Sequence, residues 1–240
     1  METSIPKFTV VVPVFNEPES LPRLNQELNK FLDKSPVSTT VLFVNDGSTD
    51  RSQSIIEEIV AADSRYHFLK LHENKGLSTA LKAGFDYSQS EWIGYIDADL
   101  QTTPLDFLKL LEFTPEFDLV TGIRTERKDN AVKKFSSNVA NKVRRMIIHD
   151  GIEDTGCPLK IGRASYLKKI PFFHGMHRFL PAMIELAGGK VRQVPVQHFP
   201  RLQGKAKYNL ANRLVGPLVD TFAFRWIQAH YIHYDVDKAL

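Results

Sequence analysis

Two aspartates one residue apart follow directly on an apolar run, in Gly94-Tyr95-Ile96-Asp97-Ala98-Asp99-Leu100-Gln101. Side chains of an extended chain alternate between faces, so Asp97, Asp99 and Gln101 are expected to project together if extended geometry persists. Carboxylates that close repel unless a cation neutralises them. Two hard carboxylate ligands and an amide oxygen suit Mg2+ or Mn2+, with a diphosphate supplying further oxygens. The competing reading is a plain surface turn, because aspartate is common where strands end. Asn16-Glu17 and Asn45-Asp46-Gly47-Ser48 likewise follow apolar runs.

These residues need elements to carry them. Residues 8–14 are a nearly continuous Val-rich run, as expected of a strand buried on both faces of a parallel sheet. Further strands are expected at 40–44, 67–71, 92–96, 118–121 and 191–196. Residues 18–33 carry Leu21, Leu24, Leu28, Phe31 and Leu32 at helical spacing. Ser48, Thr49 and Asp50 are N-cap candidates for a helix bearing Ile55, Ile56, Ile59 and Val60. Helices are also expected over 76–88, 104–113, 130–149 and 176–187, with a turn at 155–158. Strand and helix alternate through the first ~120 residues, which predicts an α/β fold with a mostly parallel sheet between two helical layers. Ligands of such sheets bind at the carboxyl ends of the strands. The three polar clusters all follow strands, so they are expected on that edge.

The chain has 240 residues, enough for one large domain or one domain with an appendage. A net charge of +3 gives no indication of nucleic-acid binding. The single cysteine, Cys157, excludes an intramolecular disulfide and fits a reducing compartment. No signal-peptide pattern is visible at the N-terminus, and no run of ~18 apolar residues predicts a spanning helix.

Val-Val-Val-Pro-Val-Phe-Asn-Glu (10–17), Val-Asn-Asp-Gly-Ser-Thr-Asp (44–50), Asn74-Lys75-Gly76 with Ala80 and Gly84, and Asp-Ala-Asp-Leu-Gln (97–101) occur in this order. Together they resemble the family-2 glycosyltransferases with the GT-A fold, a Rossmann-like three-layer sandwich. Gly-Ile-Arg (122–124), Asp-Thr-Gly-Cys-Pro-Leu-Lys (154–160), Met-His-Arg-Phe-Leu-Pro (176–181) and Arg201, Gly204, Lys207-Tyr208 are similar to the polyprenol-phosphate sugar transferases. These include dolichyl-phosphate mannose synthases and undecaprenyl-phosphate glycosyltransferases. The likeness implies a glycosyltransferase domain over 1–208, with a nucleotide-sugar half (1–122) and an acceptor half (123–208). Residues 209–240 form a C-terminal amphipathic segment. Asn45 stands where such enzymes often have the first of two acids, which leaves Asp46 as the nucleotide contact.

By the same likeness, Pro13, Phe15, Asn16, Glu17, Asp46 and Gly76 line the nucleoside side of a GDP- or UDP-hexose donor. Asp97, Ala98, Asp99 and Gln101 face its diphosphate, with Asp97, Asp99 and Gln101 as ligands of Mg2+ or Mn2+. Core packing competes as the reading of Phe15, and a turn role as that of Asp46. Arg124, Arg201 and Lys207 are candidates for charge-assisted bonds to phosphate oxygens, or else solvated surface charges. Arg201 and Lys207 flank Gly204 in a basic loop suited to closing over donor.

A sugar hydroxyl needs a general base, whereas a lipid monophosphate is already anionic. Such an acceptor instead needs cations that hold it against the donor's charge, and His177, Arg178 and Arg124 fit. Attack opposite the leaving group inverts the anomeric carbon. The expectation is therefore a metal-dependent inverting transferase of mannose or glucose to a dolichyl or undecaprenyl phosphate, peripheral on the cytoplasmic membrane face. Asp99, Arg124 and Arg178 are its catalytic candidates. The C-terminal stretch interleaves apolar and aromatic residues with Arg213, Arg225, His230 and His233 and is interrupted at Gly216-Pro217. It suits a membrane surface or ordinary packing on the sheet. A membrane-spanning partner subunit is left open. One rival is a transferase to a saccharide hydroxyl with Asp154 as base; others are a sugar nucleotidyltransferase and a non-catalytic nucleotide-sugar-binding module.

Overall fold

The computed structural model describes residues 5–124, 144–200 and 210–232. Seven strands form one sheet in the order β3-β2-β1-β4-β6-β5-β7. They are β1 (Phe8–Val14), β2 (Thr39–Asn45), β3 (Tyr66–Lys70), β4 (Trp92–Tyr95), β5 (Leu119–Arg124), β6 (Lys160–Arg163) and β7 (Val191–Val196). Pairing is parallel throughout except at β6, which runs antiparallel between β4 and β5. In register, Val14 lies beside Asn45 and Val11 beside Tyr95, so the loops after β1, β2 and β4 leave one edge together.

Helices α1 (Leu21–Leu32), α2 (Ser52–Ala62), α3 (Leu77–Tyr87), α4 (Phe107–Leu111), α5 (residues 144–148), α6 (Ala164–Leu167), α7 (Leu180–Leu186) and α8 (Leu210–His230) cover the two faces. The alternation of β1 divides the core. Phe8, Val10, Val12 and Val14 join Leu24, Leu28, Phe31 and Phe107 in one cluster. Val11 faces the other, with Leu81, Phe85, Tyr95, Phe179, Met183 and Phe224. A strand buried on both sides explains why its sequence is apolar apart from Thr9. The five apolar residues read as the α1 stripe are all buried. That helix starts at Leu21 rather than at 18, because the Glu17 carbonyl accepts the Ser20 and Leu21 N–H groups in a turn at its entry.

Three expectations need correcting. Asp50 does not cap α2 as an N-cap residue. Its Oδ1 accepts the Ser52 N–H at 2.9 Å two residues on, and the helix begins at Ser52. β6, four residues long and containing Gly162, was not expected as a strand, and it makes the sheet mixed. Gly216-Pro217 does not interrupt the C-terminal element, since α8 runs unbroken through it.

α8 docks through Phe224, which is fully buried and stacks on Phe179 with centroids 5.2 Å apart and planes at 11°. Burying such a ring contributes about 1.5–3 kcal/mol, and the ring pair adds about 0.5–1.5 kcal/mol. Gln228 Nε2 donates to the Ile148 carbonyl at 3.3 Å and ties α8 to α5. The partly exposed ion pair between Asp220 of α8 and Arg178 contributes at most about 1 kcal/mol. Aromatic burial, not charge, therefore sets where α8 lies. No helix among the described residues is long and apolar enough to cross a membrane.

Candidate active site

A cleft of about 370 Å3 opens at the carboxyl edge of β1, β2 and β4. Its wall takes Pro13, Phe15 and Glu17 from the end of β1, Asp46 from the end of β2, Gly76, Leu77 and Ala80 from the start of α3, and Asp97, Ala98 and Asp99 from beyond β4. Eight of the expected donor-side residues thus meet in one place. They do so because parallel strands in register deliver their following loops to the same edge.

Asp46 is the organiser of this wall. It is 3% exposed, and its Oδ2 accepts the Asn74 side-chain N–H and the Gly76 N–H, each at 2.8 Å. Its Oδ1 accepts the Lys75 N–H at 2.8 Å. A carboxylate offers about four lone-pair positions, so three are committed to the 74–76 loop. The charge also sits at the N-terminal end of α3, where the helix dipole favours an anion. Gly47 makes this contact possible. Its φ is +66°, and a Cβ there would lie 2.4 Å from the Glu73 carbonyl carbon. Asn45 is fully buried, with its Oδ1 accepting the Ser48 N–H at 2.8 Å, so an amide at this position shapes the turn that presents Asp46.

Asn16 is a staple of the loop rather than part of the cleft wall. With φ at +52°, it accepts the Thr49 N–H on Oδ1 at 2.9 Å, and its own N–H donates to Ser48 Oγ at 3.0 Å. Gln101 also lies apart from that wall. Extended geometry ends at Tyr95, and Leu100 turns the chain back with φ at +54°. The Gln101 N–H bonds to Asp99 Oδ1 at 3.1 Å, so the alternation expected to align positions 97, 99 and 101 does not extend to the third. Among the described residues, no three His, Cys, Asp or Glu side chains form a metal site by themselves. Two carboxylates on a cleft wall still fit Mg2+ or Mn2+, which commonly take one or two carboxylates and draw their other oxygens from phosphate and water.

The acceptor side is built differently from expectation. Arg124 at the end of β5 is held edge-on by Asp154, with Nε to Oδ2 at 2.7 Å and Nη2 to Oδ1 at 2.8 Å. Both side chains are largely buried. That bidentate pair commits one edge of Arg124, and it engages both oxygens of the carboxylate proposed as a base for a hydroxyl acceptor. His177 is partly enclosed, with its Nδ1 3.0 Å from Ser78 Oγ, and its surroundings disfavour the charged imidazole. Burial, reinforced by the charges of Arg178 and Lys160, pushes its pKa down to about 3. Arg178 ends the 3-10 turn Met176–Arg178, which packs against α3. It is a third exposed and pairs through Nη1 with Asp220 Oδ2 at 3.2 Å. Arg201 and Lys207 lie outside the described residues. The segment leading toward them passes close to the metal-side turn: the Phe199 N–H donates to the Gln101 carbonyl at 2.9 Å, and the Gln197 N–H to Asp106 Oδ2 at 2.8 Å.

Two residues were missed by sequence reasoning. Lys160 is 1% exposed. Its Nζ donates to the Cys157 carbonyl and lies 3.3 Å from Tyr95 Oη and 3.5 Å from the Thr155 carbonyl, fastening the 155–158 turn behind β4. Burial lowers its pKa, raises that of Cys157 to about 11, and raises that of Tyr95, with the Asp97 charge adding to the last. A lysine between Leu159 and Ile161 carries no signal of this role. Asp220 was legible in principle, as the one carboxylate among residues 210–232.

The model of glycosyl transferase family 2 matches residues 9–180. The chain is 30% identical over 204 residues to an undecaprenyl-phosphate 4-deoxy-4-formamido-L-arabinose transferase of Edwardsiella ictaluri, covering 84% of this chain and 63% of that protein. The protein of the same name from Salmonella choleraesuis is 30% identical over 218 residues, 90% of this chain and 66% of its own length. The chain thus spans just under two thirds of these relatives. In fold it is similar to a mannosyltransferase from Pyrobaculum calidifontis in complex with GDP-Man and Mn2+, with a TM-score of 0.69, 17% identity, and coverage of 98% of this chain and 67% of that one. Glucosyl-3-phosphoglycerate synthase from Mycobacterium tuberculosis, in complex with Mn2+, UDP and phosphoglyceric acid, gives a TM-score of 0.71 at 15% identity, covering 92% and 78% of the two chains. The sheet order, the layers and these likenesses make the fold GT-A.

Proposed function

The chain belongs to glycosyl transferase family 2, and from that premise we propose that it transfers a sugar from a nucleotide-diphosphate donor to a polyprenyl phosphate. The observation that carries the reading is the gathering of Phe15, Glu17, Asp46, Asp97 and Asp99 around one cleft at the carboxyl edge of the sheet. Relatives named as undecaprenyl-phosphate transferases support the acceptor class.

In this account Pro13 and Phe15 flank the nucleoside, and Glu17 and the remaining acceptor capacity of Asp46 receive its N–H donors. Asp97 and Asp99 would hold Mg2+ or Mn2+ against the diphosphate, with Gln101 as a third candidate ligand from the following turn. Bound there, the ion supplies Lewis-acid stabilisation of the charge on the leaving diphosphate. Arg178 meets the acceptor phosphate, while Arg124 is held and neutralised by Asp154; Arg201 and Lys207 are assigned to the donor phosphates. A phosphate oxygen forms the new bond to the anomeric carbon as the bond to the diphosphate breaks. The nucleoside diphosphate departs, and the anomeric centre inverts. No proton has to be removed from the attacking oxygen, so the scheme needs no carboxylate base. Engagement of Asp154 by Arg124 favours this scheme over transfer to a saccharide hydroxyl.

A polyprenyl acceptor requires access to a lipid surface. The outward stripe of α8, with Val219, Phe222 and Trp226 each more than 60% exposed, supports peripheral attachment, and we assign it to the cytoplasmic membrane face.

The test is a donor panel (GDP-mannose, UDP-glucose and UDP-formamido-arabinose) with undecaprenyl phosphate and Mg2+ or Mn2+, reading glycolipid. One donor is expected to give product, and Asp99→Ala to lower turnover by a factor of about a hundred or more. Undiminished turnover in that variant contradicts the metal assignment.

A further inference from the structure

Resting on the reading that Arg178 meets the acceptor's phosphate, we propose that Asp220 of α8 is a positioning residue that holds Arg178 by one edge for that anionic group. The contact is a single one, Nη1 to Oδ2 at 3.2 Å. A guanidinium presents five N–H groups in a rigid fork, so an end-on carboxylate tethers one end of it and leaves most of its donors for a phosphate. With a side chain 34% exposed, Arg178 is open to a ligand, while Asp220 at 22% is more enclosed.

The backbone that carries Arg178 is shaped around this carboxylate. Gly175 has φ at +90°, and a Cβ there would lie 2.2 Å from Asp220 Oδ2 and 3.4 Å from Arg178 Nη1. A side chain at 175 would fill the space that the carboxylate occupies. The Gly175 N–H donates to Ser78 Oγ at 3.0 Å, and Ser78 Oγ also bonds His177 Nδ1. Ser78 stands on α3 beside Leu77, a residue of the donor cleft wall. The 175–178 segment is thus fastened to the donor cleft on one side and to α8 on the other, with Arg178 between.

Stability does not account for Asp220. Phe224, one turn further along the same face, already docks α8 by stacking on Phe179. A half-buried carboxylate in an otherwise acid-free stretch opposes burial, and burial indeed raises its pKa against the charges of Arg178 and His174.

The experiment compares Asp220→Ala, Asp220→Asn, Arg178→Ala and the double variant Asp220→Ala/Arg178→Ala in glycolipid synthesis, with KM for undecaprenyl phosphate and for the donor measured separately and thermal melts run alongside. Asp220→Ala is expected to raise the acceptor KM about tenfold and leave the donor KM unchanged. Asp220→Asn keeps an oxygen for Nη1 and is expected to restore most of the loss. In the Arg178→Ala background, Asp220→Ala is expected to add nothing. An acceptor KM that rises in Arg178→Ala and stays at the wild-type value in Asp220→Ala overturns the positioning role alone. An equal rise in both KM values with a lowered Tm makes Asp220 merely structural and overturns it as well. An acceptor KM unmoved by Arg178→Ala overturns the acceptor-site reading itself, and the proposal with it.

Discussion

His177 and Arg178 are neighbours in sequence and meet different partners, Ser78 for the one and Asp220 for the other. Desolvation pushes the pKa of the imidazole down to about 3. Residue type and position identified both as acceptor-side candidates, but only the packing around them shows what each one meets. The sign of the pH effect follows from the depressed pKa. In the unfolded chain His177 titrates near 6.5, so its contribution to stability is complete above that value. It is lost as pH falls through the window down to about 3. His177→Gln is expected to show a smaller fall in Tm than the wild type between pH values of about 7 and about 5. Thermal melts across that range check it, and identical pH slopes in the two proteins contradict it. Asp97 and Asp99 were legible because short-range order places them after an apolar strand. The engagement of Arg124 was not, because its partner Asp154 lies thirty residues away in sequence, in the segment leading into the neighbouring strand β6.

Elements with one dominant period were readable: β1 by its nearly continuous apolar run, α1 by its leucine stripe, β7 by its bounds. β6 escaped because Lys-Ile-Gly-Arg offers four residues, one glycine and no clean alternation. Its strand state comes from the partners on either side, which is tertiary information. The break expected at Gly216-Pro217 rested on local propensity, and propensity is a weak prior where packing decides. α8 presents two stripes. Asp220, Phe224, Ile227 and Tyr231 face the body of the protein, and Val219, Phe222 and Trp226 face outward. Arg225 and His230 are exposed beside the outward stripe. An apolar, aromatic stripe with Arg225 and His230 exposed beside it matches the chemistry of an anionic lipid surface. Phe222→Glu/Trp226→Glu is expected to reduce co-sedimentation with vesicles containing anionic phospholipid severalfold and to leave Tm nearly unchanged, since surface substitutions usually stay within about 0.5 kcal/mol. Vesicle binding equal to wild type contradicts a lipid-facing role for this stripe.

Across the whole molecule, the loops after β1, β2 and β4 line one cleft, which the proposed function assigns to the donor, and the elements after β5 carry Arg124 and Arg178, each paired with a carboxylate. A continuous run of contacts joins the two halves, from Asp46 through Gly76 and Ser78 to Gly175, and through Arg178 to Asp220. In the proposed account Arg178 receives an anionic acceptor, whereas both oxygens of Asp154, the carboxylate that a hydroxyl acceptor would need as base, are committed to Arg124. That contrast is the central claim, and it is tested most directly by offering two acceptors that differ only in the phosphate, undecaprenyl phosphate and undecaprenol, with the same donor and divalent ion. The account predicts glycolipid from the phosphate and none above background from the alcohol. Equal transfer to the alcohol, or transfer to a saccharide hydroxyl with the phosphate inert, would contradict it.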